Sequence, residues 1–244
     1  MDAARLIEHL ADSADRLGHA AGRAGWDASV PGCEWTVREL VTHIGGVHRW
    51  AADIVATASP TPDTPAGEAV GTGPADDTLL DWYAAGHEAL VDTLRAAPDD
   101  LDCFTFLPAE SPRHFWARRQ AHETTIHRVD AEGAAGQVTP IDAALAQDGI
   151  AELLQGFARR KRNAPTEAGT IGLAAADGPS WRITLGGERI EAEAGADVQG
   201  ADTTVRGTSG DLYRWLWNRP SAAAVEGRRE LAEVWASSVR VRWS

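Results

Sequence analysis

Two side chains near the middle of the chain could bind a divalent metal together. Glu123 and His127 lie in the segment 118–130, which follows Ser111-Pro112 and contains no Gly or Pro. Ser accepts hydrogen bonds from free backbone N–H groups at helix starts and Pro fits the first helical position, so a helix is predicted. Residues four apart differ by about 40° around a helix, so both side chains point the same way. A carboxylate beside an imidazole favours a divalent metal site or a general acid–base pair.

A surface ion pair is the plain alternative for this spacing, because such pairs are common on solvated helix faces and stabilise weakly. His122-Glu123 also resembles the start of the zinc-protease motif His-Glu-x-x-His, but that motif needs its second His where this chain has Ile126. His122 and His127 differ by about 140° around a helix, which disfavours joint chelation of one ion. A protease site is therefore not predicted, and a third metal ligand must come from another element.

The second predicted helix offers two candidates for that third ligand. It spans about 36–58, and its start carries the capping-box pattern of Thr36 and Glu39. Periodicity slightly favours His48, which sits near the centre of the apolar stripe, whereas His43 lies at one edge. Either side chain could instead be a partly buried His with its own hydrogen-bond partner.

The elements that would position these residues are helices. Apolar residues at helical spacing predict three helices, at about 2–24, 36–58 and 77–97, and the start signal at Ser111-Pro112 predicts a fourth at about 112–132. The second and third are separated by a Pro- and Gly-rich connection, 59–74. Four such helices predict an antiparallel bundle, in which metal sites are built from side chains on facing helices.

The pattern changes in the second half of the chain. A fifth helix is predicted from Thr139-Pro140 to the basic run 159–162. Beyond it, short alternating segments between Gly-rich turns predict four strands, at 170–174, 181–185, 190–194 and 203–206. Two helices, at 209–218 and 228–235, and a last strand, at 239–243, are predicted to follow. The predicted domains are therefore 1–163, a helical bundle with a fifth, connecting helix, and 164–244, a small α+β domain.

Composition narrows the classes of function. Of the 244 residues, 43% are hydrophobic and 24% are charged, which is typical of a globular protein with a core. The formal net charge of −13 disfavours nucleic acids and anionic membrane surfaces as partners. No apolar run approaches the roughly 20 residues of a membrane span. The first residues lack a secretion signal and the two Cys do not suggest a disulfide framework, so we expect a cytoplasmic protein.

Three segments carry a resemblance to a known family. The stretches 30–43 and 118–132 resemble the signature segments of mycothiol-dependent maleylpyruvate isomerases and their actinobacterial relatives, within the DinB-like superfamily of metal-binding four-helix bundles. The stretch 207–219 is similar to the small second domain of that family. The resemblance implies a DinB-like antiparallel four-helix bundle followed by a small C-terminal α+β domain. It also places the family's three metal ligands on His43, Glu123 and His127, with His43 preferred over His48.

The resemblance further implies the chemistry. Family members bind a divalent ion, usually zinc, and its open positions take water or the thiol of mycothiol. A thiol with a pKa near 8.5 is mostly protonated at neutral pH, and bonding to a dication deprotonates it. In the isomerase reaction the thiolate adds to a cis double bond conjugated to a carbonyl, the new single bond rotates, and elimination leaves the trans product. In an S-transferase reaction the thiolate attacks an electrophile and stays attached.

Three further residues are candidate site residues. Asp130, one turn beyond His127, could orient that ligand through a hydrogen bond and is predicted as a catalytic group, with capping or solvation as the alternative. Arg119, one turn before Glu123, could pair with it, contact an anionic cofactor or substrate, or be solvated. Arg219 matches a family Arg and is predicted as catalytic and cofactor-binding, with a helix C-terminal charge as the simpler account.

These features predict a metal- and mycothiol-dependent isomerase or S-transferase that acts on a small electrophile, as a monomer or weak homodimer. An S-conjugating enzyme of detoxification or secondary-metabolite tailoring is an alternative within the same chemistry. A non-catalytic metal- or thiol-binding regulator is an alternative of another class. The intact ligands argue against the regulator, because a pure interaction domain has no need for two His and a Glu that converge.

Overall fold

The chain divides into two compact units. The computed structural model describes residues 1–62 and 64–240. The first unit ends at Thr139 and the second begins at Pro140. The boundary lies earlier than the predicted 163/164, because the fifth long helix packs within the second unit. There Gly149 lies against Tyr213, and the side chain of Gln147 donates to the Ser209 hydroxyl.

The first unit is the predicted four-helix bundle. Its helices are α1 (Ala3–Ala24), α2 (Val37–Ala56), a single turn α3 (Ala66–Ala69), α4 (Asp76–Ala96) and α5 (Pro112–Ala134). Both α1 and α2 pack against α4 and α5. Contacts such as Ser13–Thr125 and His114–Met1 show that α1 and α5 run in the same direction.

The directions of the other pairs follow from contacts along their lengths. Helices α2 and α4 also run in the same direction, since Arg38 pairs with Asp76 and Arg49 stacks on Trp82. The pairs α1/α4 and α2/α5 are antiparallel. The long connection between α2 and α4 permits this up–down–down–up order, because it returns the chain to the end of the bundle where α2 began.

The helix starts of the bundle form as predicted. The side chain of Asp2 accepts from the backbone N–H of Arg5 at the start of α1. Thr36 and Glu39 form both bonds of the predicted capping box. Ser111 accepts from the N–H of His114, and Pro112 occupies the first turn of α5. Local sequence therefore fixes where the two helices with the candidate ligands begin.

The second unit is a small sheet with helices. It contains α6 (Ala143–Glu152), β1 (Gly169–Ala175), β2 (Trp181–Leu185), β3 (Glu191–Ala194), β4 (Thr203–Gly207), α7 (Ser209–Leu216), β5 (Ala224–Gly227) and α8 (Glu230–Ser238). The sheet order is β3-β2-β1-β4-β5, with β1 and β4 parallel and the other pairs antiparallel. Apolar residues of the strands and of α7 and α8 form its core, including Ile171, Leu173, Ile183, Val205, Leu212 and Trp235.

The four strands predicted before α7 are confirmed, and several details differ. Helix α6 begins at Ala143 with Asp142 as its cap, three residues later than predicted, and it ends at Glu152 instead of at the basic run 159–162; a π-helical turn, Leu153–Phe157, follows it. Strand β5 was not predicted. The predicted strand 239–243 falls mostly outside the described residues, and its first two residues lie outside any strand. None of the described helices has the length and apolarity needed to cross a membrane.

Candidate metal centre

The three residues predicted as metal ligands meet between α2 and α5. Because these helices are antiparallel neighbours, His43 of α2 faces Glu123 and His127 of α5. The His43 Nε2 lies 3.5 Å from the Glu123 Oε1, and the His127 Nε2 lies 3.2 Å from the same oxygen. One ligand atom from each residue lies within 4.8 Å of the others, and all three side chains are buried. Among the described residues, this is the one group of three His, Cys, Asp or Glu side chains that could hold an ion.

These separations fit a metal ion. Zinc binds imidazole nitrogen and carboxylate oxygen at about 2.0–2.2 Å, so two ligands of a tetrahedral ion lie about 3.3–3.6 Å apart. The two nitrogen–oxygen distances, 3.5 and 3.2 Å, lie in or next to that range. Two imidazoles and one carboxylate also leave at least one position open, which is typical of a catalytic site and not of a structural one.

The two oxygens of the Glu123 carboxylate have different partners. Its Oε1 faces the two imidazoles, while its Oε2 accepts from the Nη2 of Arg119 at 2.9 Å. Burial alone would raise the pKa of Glu123, but hydrogen bonds with His127 and His43 and the charge of Arg119 outweigh burial and hold this pKa well below its usual range. Glu123 is therefore an anion, as a metal ligand must be.

The two imidazoles differ in their protonation. Burial is the main cause that lowers the pKa of His43, which therefore favours the neutral form. Burial would also lower the pKa of His127, but hydrogen bonds with Asp130 and Glu123 raise it to about 9. The His127 Nδ1 lies 2.9 Å from the Asp130 Oδ2. This contact holds the ring so that its Nε2 faces the cluster.

An aromatic ring covers the two imidazoles. The partly buried ring of Trp35 lies 4.7 Å from the ring of His43 and 5.8 Å from that of His127, measured between centroids. Trp35 directly precedes the capping residue Thr36, so the signal that starts α2 also places this ring. Trp35 was not predicted as a site residue, although it lies within the segment 30–43 that carries the resemblance.

The competing candidate, His48, has a different partner. It is fully buried, and its Nε2 lies 2.8 Å from the Thr124 hydroxyl. Burial lowers the pKa of His48 to about 3, so the ring is neutral. The structure therefore groups His43, and not His48, with Glu123 and His127.

The three further predicted residues have different outcomes. Asp130 makes the predicted contact with His127, and it is buried, so surface solvation is wrong as an account of it. Arg119 is also buried and pairs with Glu123, so solvation is wrong for it as well. Arg219 lies in the second unit, where its Nη1 donates to the Trp217 carbonyl. Catalytic roles for Asp130 and Arg219, and cofactor binding by Arg119 and Arg219, stay predictions.

Comparison with family profiles decides the relationship. Residues 7–132 match the profile described as the mycothiol maleylpyruvate isomerase N-terminal domain, and residues 144–233 match the MDMPI C-terminal domain. The chain belongs to the mycothiol maleylpyruvate isomerase family. The two matches lie on the two structural units, with the three clustered residues inside the first match. No curated protein sequence matches the chain significantly.

Solved structures agree with this family in their fold. The crystal structure of a mycothiol-dependent maleylpyruvate isomerase matches with a TM-score of 0.64 and 16% identity, over 93% of each chain. A variant of that isomerase with one His replaced by Ala matches with a TM-score of 0.65 and 15% identity, over 93% of each chain. At these identities the likeness concerns the fold of the mycothiol maleylpyruvate isomerase family.

Proposed function

We propose that this chain is a metal-dependent enzyme that uses mycothiol to isomerise a small, electrophilic cis-olefin. The convergence of His43, Glu123 and His127 in a member of this family carries the proposal. Zinc is the proposed ion, because two imidazoles and a carboxylate in a buried site match its preferred ligands. Mycothiol is the proposed thiol because the family profile names it.

Each residue of the site has a defined task in this proposal. A divalent ion at the three ligand atoms would lower the pKa of a bound thiol enough to give a thiolate at neutral pH. Asp130 holds the Nδ1 of His127, so the Nε2 of the same ring faces the Glu123 Oε1, where it would bind the ion. Arg119 holds one oxygen of Glu123, which leaves the other for the ion. Trp35 shields the imidazoles from bulk water.

The protein supplies no nucleophile of its own in this scheme. The two free thiols, Cys33 and Cys103, are not members of the ligand cluster. Burial raises the pKa of Cys103, which keeps that thiol protonated at neutral pH. The attacking sulfur therefore belongs to the small-molecule thiol, and the chain positions and activates it. A thiol and a small electrophile are accordingly the proposed partners.

Metal content and thiol binding test the proposal. The purified protein should contain close to one equivalent of divalent metal and should bind mycothiol in a calorimetric titration. In His43→Ala and in Glu123→Gln, we expect loss of the metal and, with it, loss of mycothiol binding. His48→Gln is the control, because Gln can still bond to Thr124, and this variant should retain both. Mycothiol binding that persists in metal-free protein would contradict the proposal.

Turnover then separates the related activities. With maleylpyruvate as substrate, the isomerase returns mycothiol unchanged and gives a trans product. An S-transferase, as in detoxification or metabolite tailoring, consumes mycothiol stoichiometrically with an electrophile such as monobromobimane. Metal and mycothiol binding without turnover of either substrate would favour a regulatory binding protein.

A further inference from the structure

The side-chain amide of Gln120 is buried without a partner. Gln120 is fully buried, and among the described residues neither its Oε1 nor its Nε2 has a hydrogen-bond partner. A buried amide can donate two hydrogen bonds and accept two, so leaving it unsatisfied destabilises a fold considerably. Natural proteins rarely retain such a group without a use for it.

The position of Gln120 on α5 relates it to the metal centre. Along the helix, Gln120 lies about 4.5 Å before Glu123, and around the helix it lies about 20° from His127. Two contacts between α2 and α5 show which part of α2 lies opposite Gln120. His48 contacts Thr124, one turn after Gln120, and Trp50 contacts Trp116, one turn before it, with ring centroids 5.3 Å apart. Gln120 therefore faces the bundle interior one turn from the proposed ligands, on the side away from Trp35.

The polar groups nearest to Gln120 along α5 are already engaged. The Thr124 hydroxyl bonds to His48, and the indole N–H of Trp116 donates to the Phe104 carbonyl. The two oxygens of Glu123 face Arg119 and the imidazoles. In this arrangement none of these groups bonds to Gln120, and its amide keeps the capacity for two donated and two accepted hydrogen bonds. A group that enters from outside the chain can use that capacity.

We propose that Gln120 binds a carbonyl-bearing group of the small molecule that reacts at the metal centre. Its Nε2 would donate to a keto, carboxylate or amide oxygen, and its Oε1 would accept from an adjacent N–H or O–H. This inference rests on the proposed function, because it is the metal-held thiol and its electrophile that would reach Gln120. Either molecule could carry the carbonyl group, and separate measurements distinguish them.

Two substitutions test the role of Gln120. Gln120→Met keeps the size of the side chain and removes both polar atoms, so it should leave the melting temperature unchanged or raise it. Gln120→Asn keeps the amide but withdraws it by one methylene group. Both variants should retain the metal and should weaken ligand binding about tenfold, as expected for one or two lost hydrogen bonds. Gln137→Met, at an exposed position in the same unit, is the matched control and should change neither property.

The measurements are metal content, the Kd for mycothiol by calorimetry, and the KM for maleylpyruvate. A raised Kd for mycothiol assigns Gln120 to the thiol, and a raised KM with unchanged Kd assigns it to the electrophile. A higher melting temperature with both constants unchanged would show that Gln120 binds only water, which overturns the inference. Failure of the wild type itself to bind metal or mycothiol would instead overturn the proposed function.

Discussion

His127 has contacts on both ring nitrogens, and these determine how the proposed site should respond to pH. With its pKa at about 9, His127 is protonated at neutral pH in the metal-free protein, and only its neutral form can bind a metal. We predict that metal affinity falls about tenfold for each pH unit below 9, and that each ion displaces about one proton at pH 7. Calorimetric titration of the metal in two buffers of different ionisation enthalpy measures the number of protons released, because the observed binding enthalpy changes in proportion to that number. An affinity that is constant between pH 7 and 8.5 would contradict this assignment.

Asp130 should control both the position and the protonation of His127. In Asp130→Asn, the pKa of His127 should fall, because the bond to Asp130 is the largest cause that raises it. Fewer protons should then be released at pH 7. At pH 9.5, where protons no longer compete, metal affinity should still be about 10- to 100-fold weaker, because the ring loses its orientation. Asp92→Asn, at an exposed position on α4, should match the wild type in both measurements.

At this scale the sequence predicted part of the site. The spacing of Glu123 and His127 on one helix indicated a pair of ligands, and the structure places them together. Periodicity favoured His48 over His43, and only the resemblance to the family corrected that choice. An apolar stripe reports burial, and both side chains are buried, so periodicity could not say which of them faces Glu123. The capping signal places Trp35 at the start of α2, but no local pattern shows that His127 of α5 packs beside that ring.

At the scale of the elements, α5 shows why capping signals mattered more than amphipathicity. Polar residues are buried on all sides of this helix, among them Arg119, Gln120, Glu123, Thr124, Thr125, His127, Arg128 and Asp130. A helix with such a pattern has no clean apolar stripe, so the start at Ser111-Pro112 and the absence of Gly and Pro carried its prediction. Buried polar side chains on an element are expected where a site is built.

The order of the helices in the bundle was beyond the sequence. Amphipathic stripes show that four helices pack around one core, but not which of them are neighbours. The predicted domain boundary differs from the observed one for the same reason. The apolar stripe of α6 shows that this helix is buried on one face, but not whether that face packs in the bundle or against α7. Strand β5 was missed because it is short and carries one bulky apolar residue, Val225.

The close pairing of α2 and α4 should depend on Gly45. A Cβ at this position would lie 2.2 Å from a ring atom of Trp82, and the guanidinium of Arg49 stacks 3.9 Å over that ring. We predict that Gly45→Ala lowers the free energy of unfolding by about 1–3 kcal/mol, since the ring must move within a packed interface. Gly22→Ala on α1 meets only an ordinary contact at 3.5 Å and should be neutral or stabilising. Chemical denaturation measures both, and equal stabilities would show that the interface yields without strain.

For the whole molecule, the location of the ligands predicts where a metal should stabilise the fold. All three proposed ligands belong to the first unit and join α2 to α5, two helices that are far apart along the chain. An ion that binds only the folded chain should raise the free energy of unfolding by about 2.7 kcal/mol at a free concentration one hundred times its Kd. Chelation should therefore lower the melting temperature of the wild type, as measured by differential scanning calorimetry. Glu123→Gln should melt at the same temperature with and without the chelator, and a wild type that behaves likewise would count against a metal in the fold.

The ring of Trp35 lies against His43 and His127, so its fluorescence should report whether the proposed metal site is occupied. Indole fluorescence is quenched by a neighbouring imidazolium and responds to a change in local charge. An ion that displaces the His127 proton should therefore alter the emission of this one indole among ten. The difference between the spectra of the wild type and Trp35→Phe isolates that signal, so filling of the site can be followed in real time without any added dye.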